Sequence, residues 1–510
     1  MTAAADSGGV AVAAPHPLAV EAGTAAAATG GNALDAALAA AAVLVVAYPH
    51  QCALGGDLTA LVREPDGSVV AVLSLGAAPA GVDVEALRAD GDRMPKQGAL
   101  SVTVPGIVAG WRKLAELGAK LGLAPPLRRA AALAADGVAV APGLARAIVE
   151  RREAVAADPG LRELFLPAGE TLAAGAPLVQ PALAATLSTL VDDPAAIYEG
   201  EVAAALVAAL RAAGSAMAAE DFEAHAAERP EPLTLEAGPA RWWAAPPPSQ
   251  GATALALLGP DRGEGPLARA RAAQAARARL LGDPRAGEVD VDGMLDPAPP
   301  LPATPAPHGS GDTVAVTAAD SEGRAVTLIQ SVFQTFGAGI LEPTTGIVLH
   351  NRGSAFSLQP GHAAEIGPGR RPPHTLCPLL GEVGEVRAAV GCQGGSAQPL
   401  ILSQVAAGSL DPGADLATTL AAPRWVVGDR ELGFAAETVL AEPGAEAPLA
   451  AELAAADTPP LVAGSPREDR CGHVQVVRSV GGRLEAAADP RADGTSAIVP
   501  TTQPDPGGAA

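Results

Sequence analysis

One stretch past the middle of the chain limits what the rest can fold into. Residues 296–310 form a proline-rich tract, and an alternating run of apolar and small residues follows at once, beginning at Thr313. Because proline lacks a backbone donor, the tract suits neither a helix interior nor a sheet ladder. The run from Thr313 predicts a strand, and residues 325–329, after a polar turn, predict its hairpin partner. Thr313 is therefore predicted to be the first residue of a hairpin strand that follows directly on an irregular, proline-rich segment.

This arrangement has a chemical use. Cleavage of the bond between Asp312 and Thr313 would leave Thr313 with a free α-amine beside its own hydroxyl. Such an amine can take the hydroxyl proton and turn the side chain into a nucleophile. The pattern makes this bond a candidate cleavage site and Thr313 a candidate nucleophile, although a structural threonine at the start of a strand has the same appearance.

Composition narrows the function classes. The chain has 510 residues and a formal net charge of −22, which argues against binding nucleic acid and against a basic membrane-binding surface. Hydrophobic residues make up 49% but aromatic ones only 2%, so the core must pack many small side chains. Four cysteines without CxxC spacing and eight dispersed histidines predict no disulfide framework, no metal site and no cofactor.

The sequence also shows no sign of a membrane or export segment. The N-terminus lacks a charged stretch followed by an apolar one. The longest apolar run, residues 36–48, is too short to cross a bilayer and reads as a buried helix. We therefore expect no membrane partner, and the cytoplasm is the simplest expected location.

The order of the predicted elements indicates the fold class. Asn32 is a plausible N-cap for the buried alanine-rich helix, and most of residues 114–227 are predicted to be helical. Strand-rich regions are separated by helices without a repeated βαβ unit, which favours a layered α+β fold. The other main predictions are strands at 10–14, 58–63, 68–75, 101–104, 386–390 and near 242, 474 and 497, with a helix at 17–28.

A glycine pair follows the strand predicted at 386–390. Gly394 and Gly395 would present bare backbone N–H groups at the end of that strand, just before a helix. Such groups can hold the negative oxygen that develops in acyl transfer. A tight turn has the same sequence, so the pair is a candidate oxyanion hole and no more at this point.

Together these segments resemble the γ-glutamyltranspeptidase family of N-terminal nucleophile (Ntn) hydrolases. The resemblance rests on their order and spacing and extends over nearly the whole chain. The segments that carry it are at residues 30–32, 49–50, 55–56, 104–110, 246–249, 311–313, 336–339, 346–349, 394–396 and 489–494.

The resemblance implies a four-layer αββα Ntn-hydrolase fold, built from a precursor that cuts itself before Thr313. Residues 1–312 would become the large subunit, ending in a proline-rich linker at about 285–312, and residues 313–510 the small one. These two subunits would form one domain, and a higher oligomer is left open. The resemblance also implies that Thr313 forms an acyl-enzyme, that Gly394 and Gly395 hold the oxyanion, and that Ser331 supports the nucleophile's amine.

The chain departs from the family where γ-glutamyl substrates are held. Leu75 stands where the family has an arginine for the substrate carboxylate, and Ala355 where it has an acid for the ammonium. Arg352 follows Asn351 in a place that is otherwise neutral or acidic. A cation about 4 Å from an ammonium costs roughly 4 kcal/mol at an effective dielectric near 20, enough to prevent binding.

Three further positions of the expected substrate pocket differ. Phe333 replaces an asparagine, and His374 and Thr375 replace a pair of serines. The segment from Asn351 instead resembles a transpeptidase-like branch that includes cephalosporin-acylase-like and oxamate-amidohydrolase-like proteins. Arg352 is the expected carboxylate ligand, with a salt-bridged loop arginine as the alternative.

The leading prediction is an autoprocessed amidohydrolase acting on a small-molecule amide whose acyl part carries a carboxylate, of oxamate or glutaryl type. One alternative is a true γ-glutamyltransferase or glutathione hydrolase with a clamp relocated to Arg352, His374 or Arg371. Another is a family scaffold that has lost catalysis. The sequence leaves open whether water or an amine accepts the acyl group.

Overall fold

A computed structural model describes residues 2–5, 8–260, 263–297, 312–455 and 458–500. Most of the described strands belong to two large sheets. The strands are β1 Ala3–Ala5, β2 Gly9–Ala14, β3 Asp57–Arg63, β4 Val69–Ser74, β5 Val138–Ala139, β6 Pro177–Leu178, β7 Leu233–Ala237, β8 Ala240–Ala244, β9 Asp312–Asp320, β10 Ala325–Phe333, β11 Leu341–Glu342, β12 Ile347–Val348, β13 Leu379–Val383, β14 Val386–Cys392, β15 Trp425–Gly428, β16 Thr438–Ala441, β17 Leu461–Ala463, β18 Val474–Val480, β19 Arg483–Ala488 and β20 Thr495–Pro500.

Helices lie between and around these strands. They are α1 Pro17–Ala28, α2 Ala33–Ala47, α3 Val84–Asp90, α4 Ile107–Glu116, α5 Ala124–Asp136, α6 Pro142–Glu150, α7 Arg152–Ala157, α8 Pro159–Phe165, α9 Pro181–Asp192, α10 Glu201–Ala212, α11 Ala219–Glu223, α12 Gly251–Leu258, α13 Pro266–Leu280, α14 Val291–Leu295, α15 Gln398–Leu410, α16 Leu416–Ala421 and α17 Ala450–Leu453. None of the helices in the described part of the chain is long and apolar enough to cross a membrane.

The two large sheets stack with helices on both outer faces. One sheet has six strands in the order β20-β2-β9-β10-β3-β4, and the other has seven in the order β1-β19-β18-β14-β13-β8-β7. Apolar residues on one face of β9 and β10 pack in one core with α1 and α2. The second sheet shares a core with α12 and α15. The layers therefore run helix, sheet, sheet, helix, which confirms the predicted αββα class.

Small side chains fill the space between the two sheets. Ala319 and Ala325 of the first sheet share a buried cluster with Ala389 and Ala486 of the second. This confirms the expectation that alanine would replace aromatic bulk in the core. Because alternate residues of a strand share a face, Thr313 also points into this narrow space.

The start of α2 shows how a sequence motif fixes a local structure. Asn32 caps the helix by accepting from the N–H groups of Leu34 and Asp35, as predicted. The carboxylate of Asp35 accepts in turn from the N–H of Asn32 at 2.9 Å and from those of Lys120 and Leu121, each at 2.8 Å. The cap thus also fastens the loop that precedes α5, and α2 is buried along its whole length.

Two sequence predictions need comment. The strand predicted at 101–104 is wrong: the structure has a 3-10 helix at Ala99–Ser101, and the Val104 N–H bonds the Ala77 carbonyl without joining a ladder. The predicted linker at about 285–312 contains α14, its residues 298–311 lie outside the described residues, and Asp312 already belongs to β9. The subunit boundary itself stays a prediction.

Replacing Asp35 with alanine should lower the free energy of unfolding by about 1–3 kcal/mol, because the buried N–H of Asn32 and the partly buried N–H groups of Lys120 and Leu121 lose their acceptor. Urea denaturation followed by circular dichroism measures this. Asp136→Ala, at the exposed end of α5, is the matched control and should change stability by less than about 0.5 kcal/mol. Equal midpoints for the two variants would contradict the role given to Asp35.

Candidate active site

Thr313 lies at a break in the ladder between β9 and β10. Val314 pairs with Gln330 and Asp312 with Phe333, so two residues of β10, Ser331 and Val332, stand opposite Thr313 alone. This is a β-bulge, which frees backbone groups from the ladder and redirects side chains. Phe333, at its end, has φ of +77°, a strained value for a bulky residue and typical of functional sites.

The hydroxyl of Ser331 connects the groups around the bond before Thr313. Ser331 Oγ lies 2.6 Å from the carbonyl oxygen of Asp312, 3.2 Å from Thr313 Oγ1 and 2.7 Å from the N–H of Phe333. A carbonyl can only accept, so Ser331 must donate its single proton to Asp312. Ser331 Oγ therefore accepts from the Phe333 N–H and from the Thr313 hydroxyl.

The side chain of Asp312 is partly buried on the other side of this bond. Its carboxyl oxygens lie against the Thr335 hydroxyl and, at 3.5 Å, the amide of Gln393. Burial raises the pKa of Asp312 to about 7, and the negative charge of Asp469 adds to the effect. While the chain is intact, this carboxyl group therefore keeps its proton to a higher pH than an exposed aspartate does.

The glycine pair lies at the end of β14, near the start of β9. A Cβ on Gly391 would stand 3.0 Å from that of Ala315, which shows how closely the two strands approach. Gly394 and Gly395 have φ of +148° and +56°, and a side chain on Gly394 would strike Ile401. Among the described residues, nothing accepts a hydrogen bond from either glycine's N–H. This leaves two free backbone donors beside the bulge.

Gln250 fixes the opposite side of the glycine turn. Its amide nitrogen donates to the carbonyl of Gly395 at 2.9 Å and to that of Thr375 at 2.7 Å. The turn and the segment of Thr375 are therefore held at a fixed separation by one buried side chain.

Arg352 is buried, and no carboxylate of the described residues forms an ion pair with it, although the charge of Asp57 acts on it from a distance. It begins a 3-10 helix at Arg352–Ala355, is 1% exposed, and stacks its guanidinium 3.6 Å from the centre of the Phe333 ring. Its Nη2 donates to Thr375 Oγ1 at 3.2 Å, while Nε and Nη1 have no hydrogen-bond partner among the described residues. Burial lowers the pKa of Arg352 to about 9. Two nitrogens of this buried arginine are thus left without an acceptor in the described part of the chain.

Arg371, the other candidate for a relocated clamp, is already paired. Its guanidinium contacts Asp283 at 2.8 Å and Glu228 at 2.7 Å. Asn351 is similarly occupied: its amide nitrogen donates to the carbonyl of Lys96 and to Gln334. Both side chains stabilise the walls of the pocket and have little capacity left for a ligand.

His374 lies in a polar cluster that the sequence reasoning did not anticipate. Its Nε2 is 3.4 Å from Asp57 Oδ2, and the same oxygen lies 3.0 Å from His350 Nδ1. Burial, reinforced by the charge of Arg352, lowers the pKa of His374 well below its ordinary value, so the ring is neutral. Asp57 follows the glycine pair at 55–56, a segment that the family resemblance includes, but no sequence signal links it to two distant histidines.

The described residues contain no group of three or more histidine, cysteine, aspartate or glutamate side chains arranged to hold a metal ion. The chemistry assembled here is that of a hydroxyl nucleophile, free backbone donors and a buried cation.

Comparison with known proteins agrees with this arrangement. The family model for gamma-glutamyltranspeptidase matches residues 19–263 and 267–499. The chain belongs to the gamma-glutamyltranspeptidase family. It is an enzyme of the Ntn amidohydrolase and acylase type, and the predicted family and fold class are confirmed.

Proteins with different named activities are similar to this chain. The oxamate amidohydrolase proenzyme of Klebsiella pneumoniae is 35% identical over 523 residues, covering 96% of this chain and 98% of the relative. The glutathione hydrolase-like YwrD proenzyme of Bacillus subtilis is 31% identical over 446 residues, covering 82% and 85%. The crystal structure of cephalosporin acylase from Bacillus halodurans superposes with a TM-score of 0.84, at 28% identity, over 97% of this chain and 96% of that one.

The raised pKa of Asp312 predicts how the stability of the uncut chain depends on pH. The variant Thr313→Ala should keep the chain uncut and so allow the measurement. The folded chain holds a proton on Asp312 up to about pH 7, whereas the unfolded chain loses it near pH 4. The stability contributed by Asp312 is therefore lost as pH rises through 7. Adding Asp312→Asn should raise the melting temperature relative to Thr313→Ala alone by more at pH 8 than at pH 5. A difference that does not change with pH would contradict this.

Proposed function

We propose that the chain cuts itself between Asp312 and Thr313. The support is the arrangement around Ser331, which polarises the carbonyl of Asp312 while it accepts the proton of the Thr313 hydroxyl. Two of the relatives carry the word proenzyme in their names. The attacking oxygen, the carbonyl that it attacks and a group able to carry the proton are thus next to one another.

The proton movements of this step balance. Thr313 Oγ attacks the carbonyl carbon of Asp312, its proton passes to Ser331, and the Ser331 proton passes to the carbonyl oxygen. The C–N bond then breaks as that proton returns through Ser331 to the nitrogen, which leaves Asp312 as an ester on Thr313 Oγ. Breaking of the C–N bond frees the α-amine of Thr313, and water then hydrolyses the ester to give the Thr313 hydroxyl and the new α-carboxylate of Asp312.

The freed Thr313 then acts as the nucleophile of an amidohydrolase. Its α-amine takes the hydroxyl proton, Oγ attacks the carbonyl carbon of the substrate amide, and the leaving amine takes the proton. Water hydrolyses the resulting acyl-enzyme. The N–H groups of Gly394 and Gly395 hold the oxyanion, and losing one such donor costs about 10²–10³ in rate.

The observation that carries the substrate class is the unpaired guanidinium of Arg352. Burying a charge without a partner costs several kcal/mol, so a chain that keeps one has a use for it. Nε and Nη1 lie on different edges of the guanidinium, so a carboxylate would accept from one of them together with the second hydrogen of Nη2. The ring of Phe333 packs against the guanidinium of Arg352, and the backbone N–H of Phe333 donates a hydrogen bond to Ser331 Oγ. The carboxylate would therefore lie within one small acyl group of Thr313.

The two positions where the family binds the α-carboxylate and the α-ammonium of its substrate hold apolar side chains here. Leu75 is buried in an apolar cluster with Leu73, Ala315 and Leu376, and Ala355 is also buried. We infer that the enzyme hydrolyses small amides whose acyl part bears a carboxylate, of oxamate or glutaryl type. The name of the 35% identical relative favours oxamate. The cytoplasmic location stays a prediction.

Wild-type protein should appear on a denaturing gel as two fragments, and sequencing of the smaller should read Thr-Val-Ala-Val. Thr313→Ala should give one band at 50.2 kDa, while Thr313→Ser, which keeps a hydroxyl, should still be cut. Ser331→Ala should slow cleavage by about 10²-fold because the carbonyl of Asp312 loses its donor. A single band for folded wild-type protein would favour the inactive scaffold.

Arg352 should determine the choice between charged and neutral amides. Wild-type enzyme should prefer oxamate over oxamide, which has the same shape without the negative charge, and glutaryl over γ-glutamyl amides. Arg352→Ala should cost about 2–5 kcal/mol in kcat/KM for oxamate, and Arg352→Lys less, because lysine cannot form two parallel hydrogen bonds. Turnover of oxamide should change little in either variant. A wild-type preference for γ-glutamyl amides that survives Arg352→Ala would instead support a true γ-glutamyltransferase.

A further inference from the structure

A substrate of the proposed reaction must contact two parts of the site at once. The N–H groups of Gly394 and Gly395 hold the oxyanion at one end of the acyl group, and Arg352 binds the carboxylate at the other end. The glycines and the arginine belong to separate segments of the chain. The contacts between these segments therefore determine the distance that an acyl group has to span.

The side chain of Gln250 connects the glycine turn to the segment of Thr375. Gln250 is fully buried, and its amide nitrogen donates to the carbonyl oxygens of Gly395, at 2.9 Å, and of Thr375, at 2.7 Å. A carbonyl can only accept, so the nitrogen of the amide, and not its oxygen, faces both partners. One planar group thus uses its two N–H donors to hold two carbonyls in place.

The contacts continue from Thr375 to the nucleophile. Thr375 Oγ1 accepts from Arg352 Nη2 at 3.2 Å, and the guanidinium stacks 3.6 Å from the centre of the Phe333 ring. The N–H of Phe333 donates to Ser331 Oγ at 2.7 Å, and this oxygen lies 3.2 Å from Thr313 Oγ1. Direct contacts therefore lead from the oxyanion donors, by way of Arg352, to the attacking oxygen.

The neighbours of Thr375 are held by the loop that carries Gln250. Ser249 Oγ donates to the carbonyl of Leu376 at 2.5 Å, and the N–H of His374 donates to the carbonyl of Pro248 at 2.7 Å. The loop before α12 therefore holds this segment as a unit, and the amide of Gln250 extends the same support to the glycine turn.

We propose that Gln250 is a positioning residue that fixes the length of the acyl group that the enzyme accepts. The inference rests on the proposed function, because it assumes that the glycine turn and Arg352 bind opposite ends of the substrate. Each methylene lengthens an extended acyl chain by about 1.3 Å, whereas N–H···O hydrogen bonds vary in length by only about 0.5 Å. An extended acyl group one methylene too short or too long therefore cannot fill the oxyanion hole and meet the guanidinium together.

Loss of the Gln250 amide should relax this selection. Gln250→Met keeps a side chain of similar length and removes both donated hydrogen bonds. The glycine turn would then shift relative to Thr375, so acyl groups of several lengths would fit about equally well. Selection for negative charge would persist, because Arg352 is unchanged. General damage to the pocket would instead lower the activity toward every amide by the same factor.

The test measures kcat/KM for oxamate, malonamate, succinamate and glutaramate, each beside its neutral diamide. We call the ratio between the best acid and its neighbours in this series the length ratio. It should be about tenfold or more in the wild type, as a single methylene commonly provides, and below about threefold in Gln250→Met. Gln180→Met is the matched control and should keep the wild-type ratio, since Gln180 is also buried but donates to Val46 of α2.

A second pair of variants tests the same contacts at Thr375 and decides the question if Gln250→Met does not fold. Thr375→Val keeps the shape of the side chain and the carbonyl that Gln250 binds, but it loses the acceptor for Arg352, so the length ratio should also fall. Thr375→Ser restores this acceptor and should restore the ratio. The appearance of both fragments on a gel reports that each variant folds.

A length ratio that stays at the wild-type value in Gln250→Met or in Thr375→Val would overturn the inference, even if both variants were less active. A wild type that prefers the acids over their diamides but hydrolyses all four lengths equally would overturn it as well. A wild type indifferent to substrate charge would refute the proposed function itself.

Discussion

The close approach of two sheets through small side chains is the constraint on which the site depends. Alanines of β9 and β10 share a buried cluster with alanines of β14 and β19 and with a few larger apolar side chains, so the side chain of Thr313 faces a closely packed layer between the sheets. The ladder between β9 and β10 is interrupted only where the bulge at Ser331 breaks it. The break frees the carbonyl of Asp312 from the sheet and lets a side-chain hydroxyl bind it. Local irregularity inside a tightly packed frame thus produces the reactive geometry.

The second organising feature is a charge that the fold leaves unsatisfied. Two buried arginines illustrate the contrast. Arg371 contacts two carboxylates, whereas Arg352 has an aromatic ring and one hydroxyl. The charge of Asp57 acts on Arg352 only from a distance, because Asp57 Oδ2 lies against His350. A buried arginine without an ion-pair partner lowers the stability of the fold, since apolar side chains filling the same volume would cost less free energy.

Much of the frame could be predicted from the chain, because it depends on local rules. The β9–β10 hairpin, the Asn32 cap and the glycine turn after β14 follow from short-range patterns that the structure confirms. The strand predicted at 101–104 failed because alternation alone does not supply a neighbouring strand. Asn351 was expected in the substrate pocket. Its side-chain nitrogen donates to Lys96 and Gln334, and no pattern in the sequence predicts these two partners.

The amino-acid sequence predicted neither the contacts of Asp57 with two histidines nor the bulge in β10, and the reason is the same for both. Asp57 meets His350 and His374 only because three separate segments converge, and each residue taken alone reads as an ordinary buried polar side chain. The bulge depends on how many residues of β10 face β9, a count that the amino-acid sequence does not display. The sequence likewise did not predict that Arg352 would be buried, although an arginine at this position differs from the family pattern.

The order of the strands determines how the two fragments would behave after a cut before Thr313. Strands from both sides of that bond alternate within the six-stranded sheet: β9 lies beside β2, and β10 beside β3. In the seven-stranded sheet β8 pairs with β13. Two fragments woven together in this way would stay associated, because separation requires both sheets to come apart. Once denatured, however, they would have to meet again by diffusion, so recovery would depend on concentration and the cut molecule would persist through slow unfolding rather than through reversible equilibrium.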